Sequence, residues 1–166
     1  WVWRNVDNIL LPTQGIAASA QVGVGHARSD TGNGPFSRIY GRLSGYQPLG
    51  GWYGSARLEA AEVFTRNNVS VPDTLLFRAG GDESVRGYPY RSIGPQLGGT
   101  TVGGKVLATA SVELARPFGP RNLRQWWWAV FADAGDATNT WQDYAVKIGA
   151  GAGIRWRSPV GPLKID

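Results

Sequence analysis

Three charged side chains in this sequence could act together: Arg86, Glu113 and Asp133. Their chemistry would be pairing rather than bond making, because a guanidinium presents a planar fork of donors that one or two carboxylates can accept. Arg86 lies at the tip of a glycine-flanked run, Arg78-Ala-Gly-Gly-Asp-Glu-Ser-Val-Arg-Gly-Tyr-Pro-Tyr90, with aromatics directly behind it. A cation carried out of water needs a partner, since burying it alone is expensive. Spacing leaves two readings open. Either the three charges form one buried triad, or each is hydrated separately in a wet interior and contributes about 0 to 1 kcal/mol.

Other patterns that point to chemistry fail on their context. Gly99-Thr-Thr-Val-Gly-Gly-Lys105 is close to a phosphate-binding P-loop, but no Ser or Thr follows the lysine and the next residues alternate as a strand. Gly149-Ala-Gly-Ala-Gly153 has the spacing of a dinucleotide fingerprint, yet it lies in an alternating segment, where glycines serve curvature or the close approach of another group. His26 is the only histidine and cysteine is absent, so disulfides, thiolate metal sites and histidine-based triads have no material. No enzyme, metal or cofactor is expected. The formal net charge is +5, but the basic residues are scattered singly, which argues against a nucleic-acid partner. A polar, water-filled interior accounts for the charge.

The elements that must hold these residues alternate with period two rather than with a helical period. Val106, Ala108, Ala110, Val112 and Leu114 face one way, and Lys105, Leu107, Thr109, Ser111 and Glu113 the other. Asp133 is in phase with Ala129, Phe131 and Gly135, and opposed to Trp126, Trp128, Val130 and Ala132. Both acids therefore take the polar face. From Val146 to Arg157 the apolar set Val146, Ile148, Ala150, Ala152, Ile154 and Trp156 alternates with Lys147, Gly149, Gly151, Gly153, Arg155 and Arg157. Arg155 reads there as a charge of the polar face with no link to Arg86. Similar alternation covers Gly15–Gly25, Phe36–Tyr46, Trp52–Ala61 and Gln125–Gly135, and a last strand starts near Pro162. Turns fall at Asp30–Pro35, at Gln47–Gly51 and around Asn67-Asn68. Gly80–Gly104 is long and aperiodic, and such segments are functional or disordered.

About seven or eight strands result, each ~10 residues long, against ~5–6 for an ordinary globular strand. That length crosses a bilayer when tilted. Alternation alone fits a soluble sandwich equally well. The 24 glycines, the eight tryptophans and the aromatics near strand ends (Trp52, Trp126, Trp128, Trp156) favour a membrane β-barrel. No stretch has the length of a membrane-spanning helix, and Trp1 opens no signal peptide, so the chain is expected to begin inside a mature protein. Eight strands could close a small barrel, but the long aperiodic segment fits a piece of a larger one better.

Val85-Arg86-Gly87-Tyr88 resembles the Val-Arg-Gly-Phe/Tyr motif of the outer-membrane assembly and two-partner-secretion transporter superfamily, the bacterial surface antigen barrels. Phe131-Ala-Asp133-Ala-Gly135 is similar to the Phe-x-Asp-x-Gly motif on an inner-wall strand of that family, and Ser111-Val-Glu113-Leu114 to the preceding strand with its lumen-facing glutamate. Leu11-Pro-Thr-Gln-Gly15 resembles a strand entry of the same barrels. The run Gly80–Tyr88 with Ser92-Ile-Gly-Pro95 looks closest to the TamA-type translocation and assembly module subunit, and next to the BamA type.

The resemblance implies an all-β fold in which residues 1–166 are the C-terminal half of a sixteen-stranded transmembrane β-barrel. Residues 80–104 would be an inward-folded lumenal loop, and the periplasmic POTRA modules and the first half of the barrel would lie outside this sequence. It further implies that Arg86 anchors the loop, with Asp133 as its main wall partner and Glu113 as a second. Gly80, Gly81 and Gly87 would allow the loop's turns, while Val85, Tyr88, Phe131 and Gly135 would pack it against the wall. The implied function is insertion or export of β-barrel and autotransporter clients, with no bond chemistry. The alternatives are a two-partner-secretion pore for one passenger and a passive porin. Expected partners are the outer-membrane bilayer of a Gram-negative type of cell, client outer-membrane or secreted proteins, and a periplasmic or inner-membrane partner protein.

Overall fold

Each alternating segment pairs with the next, and the product is one antiparallel sheet. The computed structural model describes residues 1–29, 32–66, 69–118, 125–158 and 161–166. Eight strands make the main sheet: β1 (Val2–Val6), β2 (Gly15–Ser29), β3 (Gly32–Leu49), β4 (Trp52–Thr65), β7 (Val106–Pro117), β8 (Trp126–Thr138), β9 (Lys147–Ser158) and β10 (Gly161–Ile165). Their order is β1-β2-β3-β4-β7-β8-β9-β10. A separate hairpin, β5 (Gln96–Leu97) with β6 (Thr100–Thr101), belongs to the long segment between β4 and β7. The all-β fold expected from alternation is the fold observed.

Strands run further than turn residues alone imply. The turn expected over Asp30–Pro35 shrinks, because Gly32, Gly34 and Pro35 stay in β3, with Pro35 opposite His26. Glycine and proline mark turns locally, but a ladder already in register with β2 carries through them. The Gln47–Gly51 turn likewise contracts to Gly50-Gly51, where Gly50 takes a φ of 67° that favours glycine. The turn around Asn67-Asn68 lies outside the described residues. β1, with Arg4 at its centre, is too short to show a clear period, and it was not expected.

Burial decides between the two readings of the alternation. A soluble sandwich buries its apolar face, but here that face is the open one: Val22 and Val24 are 78% and 83% exposed. Cross-strand rows such as Leu43–Leu58–Ala110–Ala134–Ile148 continue it across the sheet. A continuous exposed apolar band of this kind suits lipid rather than water. Among the described residues no helix is long and apolar enough to cross a membrane, which has no bearing on crossing by strands. At one end of the sheet Trp52 meets Trp128 edge-on at 4.5 Å, and Trp126 stacks on Trp156 at 5.8 Å, like the aromatic girdles of barrel rims.

The buried core lies on the opposite face. Between β4 and β7 the chain folds back over the sheet, pinned by the bridges Phe77–Gly104 and Ala79–Ile93. Val71, Phe77, Ala79, Val85 and Ile93 from this segment pack against Ala61 and Val63 of β4, Leu107 of β7 and Ala137 of β8. Asp73 closes the base of the segment, accepting from Arg78 Nη2 at 2.5 Å and from the Gly103 N–H at 2.7 Å. The Arg78 hydrogen bond, followed by that of Gly103, holds the Asp73 carboxyl below its ordinary range. The folded-back segment thus extends well before Gly80.

Candidate functional site

Strand register sets the geometry. Pairing of β7 with β8 places Ser111 opposite Asp133 and Glu113 opposite Phe131. Pairing of β8 with β9 places Asp133 opposite Gly149 and Phe131 opposite Gly151. Two adjacent rows on the polar face therefore read Ser111–Asp133–Gly149 and Glu113–Phe131–Gly151. The tip of the folded-back loop lies over both.

Arg86 spans the two rows. Its Nε and Nη2 donate to the two carboxylate oxygens of Asp133 at 2.7 and 2.8 Å, a bidentate fork, and its backbone N–H donates to the same carboxylate at 3.0 Å. Nη1 donates to Glu113 Oε2 at 2.5 Å, and Nη2 to Ser111 Oγ at 3.2 Å. The Ser111 hydroxyl in turn donates to Asp133 Oδ1 at 2.6 Å. The guanidinium carbon sits 3.6 Å from the centre of the Phe131 ring. The side chains of Arg86 and Asp133 are only 5% and 0% exposed. Desolvation opposes the charge on Arg86, but the hydrogen bonds it donates to Asp133 and Glu113 more than offset this and raise its pKa above the ordinary value. Such an ion pair is difficult to break, because removing one partner strands the other without water.

Local backbone chemistry presents the arginine. Gly80, Gly81 and Gly87 have φ of 100°, 98° and 88°, a region that side chains disfavour. The Gly81 N–H donates to the carbonyls of Val85 and Tyr88 at 3.2 and 3.0 Å, closing the tip on itself. Val85 is fully buried, and Tyr88 packs against the same cluster. Gly135 serves the wall, since a Cβ there would lie 2.7 Å from the Ala108 carbonyl and from Thr109 Cγ2.

Two features were not expected from the sequence. The first is how the β9 glycines are used. A Cβ on Gly149 would collide with the Arg86 carbonyl oxygen, and one on Gly151 would lie 2.7 Å from the Phe131 ring. A Cβ on Gly153 would collide with the Asp166 carboxylate. The stripe is a bare track on which the loop, the ring and an acid each rest, which gives the general expectation of close approach its particular occupants. The second is Arg155, expected to stand apart from Arg86. Instead its Nη2 and Nε donate to the two oxygens of Glu113 at 2.8 and 3.3 Å, and its Nη1 pairs with Asp166. Alternation fixes the face of a residue but not which neighbouring row a long side chain reaches.

The loop has a second charged contact with the other half of the wall. Glu83 accepts from Arg42 of β3 at 3.2 Å and lies 3.6 Å from Arg57 of β4, whose Nη2 donates to the Ser84 carbonyl at 3.3 Å. Burial pushes the Glu83 carboxyl up, but the Arg42 hydrogen bond and the charges of Lys164, Arg57 and Arg42 hold it below the usual range. The Glu83 side chain is 70% exposed, so this contact is screened and contributes at most ~1 kcal/mol. Glu83→Gln is expected to raise loop proteolysis at Arg91 by no more than about fivefold at low salt, with no difference from the parent near 1 M salt.

Beside the tip lies a cavity of about 280 Å³ with a mixed lining, in which Arg42, Arg57, Glu83, Glu113 and Arg155 stand with Tyr53 and Trp127. His26 is exposed on β2, and among the described residues no cluster of His, Cys, Asp or Glu is arranged to hold a metal. The Gly99–Lys105 run leads into β7 and not into a helix. What this arrangement does is hold a loop against the sheet.

The sequence model of the Omp85 superfamily domain matches residues 1–166. Among solved structures, the chain is similar to the crystal structure of BamA from Haemophilus ducreyi lacking POTRA domains 1-3, with a TM-score of 0.81 and 27% sequence identity. That match covers 98% of this chain and 36% of the other, so the chain spans little more than a third of the structure it resembles.

Proposed function

This chain belongs to the Omp85 superfamily, and from that premise we propose that it is the C-terminal half of the barrel of a TamA-type assembly factor in a Gram-negative outer membrane. The whole protein would place β-barrel and autotransporter clients in that membrane or carry them across it, working with a periplasmic or inner-membrane partner protein. Its apolar band would contact lipid, and its polar face would line the lumen. The observation that carries this reading is the burial of Arg86 on Asp133 and Glu113. A passive pore needs no loop locked to its wall by a desolvated ion pair.

In this reading Arg86 is the loop anchor, Asp133 its main wall partner and Glu113 the second. Gly80, Gly81 and Gly87 shape the tip, and Val85, Tyr88, Phe131 and Gly135 pack it. The docked loop keeps β7, β8 and β9 in one arrangement while a strand edge elsewhere in the barrel offers free N–H and C=O groups to client strands. No bond is made or broken.

Depleting the full-length parent protein and quantifying the outer-membrane and secreted proteomes together tests this. Loss of autotransporters with most barrel proteins retained is the expected result. General loss of barrel proteins would move the assignment to a BamA-type role. Loss of a single secreted protein would make it a two-partner-secretion pore, and no loss at all would leave a passive channel.

A further inference from the structure

The charges around Arg86 do not end at its two acids. Glu113 Oε2 accepts from Arg86 Nη1 at 2.5 Å and from Arg155 Nη2 at 2.8 Å, so one oxygen is shared by two guanidinium groups. Arg155 also pairs with Asp166, which follows β10, and Asp166 Oδ2 lies 3.7 Å from Arg86 Nη1. All four side chains are largely out of water: Arg86 and Arg155 are 5% and 6% exposed, Asp166 10% and Glu113 17%. Arg86, Glu113, Arg155 and Asp166 alternate in sign around a ring, and Asp133 adds a third acid on the outer side of Arg86. Gly153 leaves the room that Asp166 needs to reach this position.

We propose that Arg155 and Asp166 are positioning residues that couple β10 to the loop anchor. Arg155 grips both oxygens of Glu113 and so fixes the carboxylate that Arg86 must meet. Asp166 fixes Arg155 from the other side and ties that grip to β10. β10 pairs with β9 in the register Gly161–Ser158 to Ile165–Ile154. A shift of β10 along or away from β9 therefore pulls Asp166 from Arg155, loosens Glu113 and weakens the hold on Arg86. Coupling runs equally in reverse, because a free-energy linkage between two sites is reciprocal. This inference rests on the loop-anchor reading above but not on which clients the protein serves.

The test uses the full-length protein folded in outer-membrane vesicles, with cysteine introduced at the fully buried Val85 as a reporter. Its labelling by a water-soluble maleimide reads how often the loop leaves the wall. Retention of the heat-modifiable band in electrophoresis shows for each variant that the barrel itself has formed. Arg86→Ala is expected to raise the labelling rate at least about tenfold, and Arg155→Gln or Asp166→Asn about three- to tenfold, an indirect loss no larger than the net worth of one ordinary hydrogen bond. In the Arg86→Ala background, Asp166→Asn should add nothing, since the path is already cut. A conservative Asp166→Glu should recover most of the protection. If Arg86→Ala speeds labelling while Arg155→Gln and Asp166→Asn do not, the coupling is wrong and the anchor stands. If Arg86→Ala leaves labelling unchanged, both are wrong.

Discussion

Arg86→Ala is expected to free the folded-back loop and remove the assembly activity proposed for the full-length protein, while the barrel still forms. The reason lies in what remains behind. Asp133 is wholly buried and receives four hydrogen bonds, three of them from Arg86. The backbone N–H survives the substitution, but the fork does not, and breaking a buried pair of this kind costs about 3–5 kcal/mol. That is a large share of what the small apolar cluster under the loop supplies, so docking is lost before the strands are. Limited trypsin digestion reads it directly, with fast cleavage after Arg78 and Arg91 in the variant and slow cleavage in the parent. Arg86→Lys should fall in between, because an ammonium keeps the charge but loses the bidentate geometry. The exchange Arg86→Asp with Asp133→Arg should recover part of the protection over either single change. No recovery at all would mean that the two residues act through separate routes.

Adding one methyl group at Gly149 should act in the same direction, to a smaller extent, without touching a charge. The Cβ of Gly149→Ala is directed at the backbone carbonyl of Arg86, which cannot swing aside as a side-chain tip can. Either the tip lifts from β9 or β9 shifts in its register, and overpacking of this kind costs about 1–3 kcal/mol. Gly23 is a well-matched control, being a strand glycine of β2 with nothing within 4 Å of its ideal Cβ. Gly149→Ala should therefore accelerate loop digestion and depress client assembly, and Gly23→Ala should do neither. Equal behaviour of the two variants would show that the loop does not rest on β9 in the working protein.

Much of this site could be read before any coordinates. Period-two alternation assigned Glu113, Asp133, Phe131 and Gly135 to one face of the sheet, and the aperiodic stretch marked the segment that folds back over it. What stayed hidden was register. A strand's own sequence tells which face a side chain takes, but not which residue of the next strand stands beside it. Nothing in the sequence of β7 or β8 alone sets Ser111 abreast of Asp133, where its hydroxyl bridges the carboxylate to the guanidinium. Arg155 was assigned to the polar face and misread as isolated for the same reason. Its partner Glu113 lies two strands away, and the sum of two registers brings them within reach. Glu83 escaped notice because an acid on a loop ordinarily faces water, and only the folding-back of the segment carries it to Arg42 and Arg57.

The position of the apolar cluster separates two kinds of solvent quality within one molecule. β4 and β7 pair with each other directly, so the ladder can close whether or not the segment between them has docked. The outer face is sheltered by lipid, and its stability answers to the bilayer. The cluster around Val85 and Ile93 lies on the polar face, between the folded-back segment and the strands, and its stability answers to the water of the proposed lumen. Agents that act through water, such as moderate urea, should therefore strip the loop from the wall while the strands stay embedded. The same asymmetry leads us to expect docking as the closing event of biogenesis, with a loop-out state in a barrel already seated in the membrane.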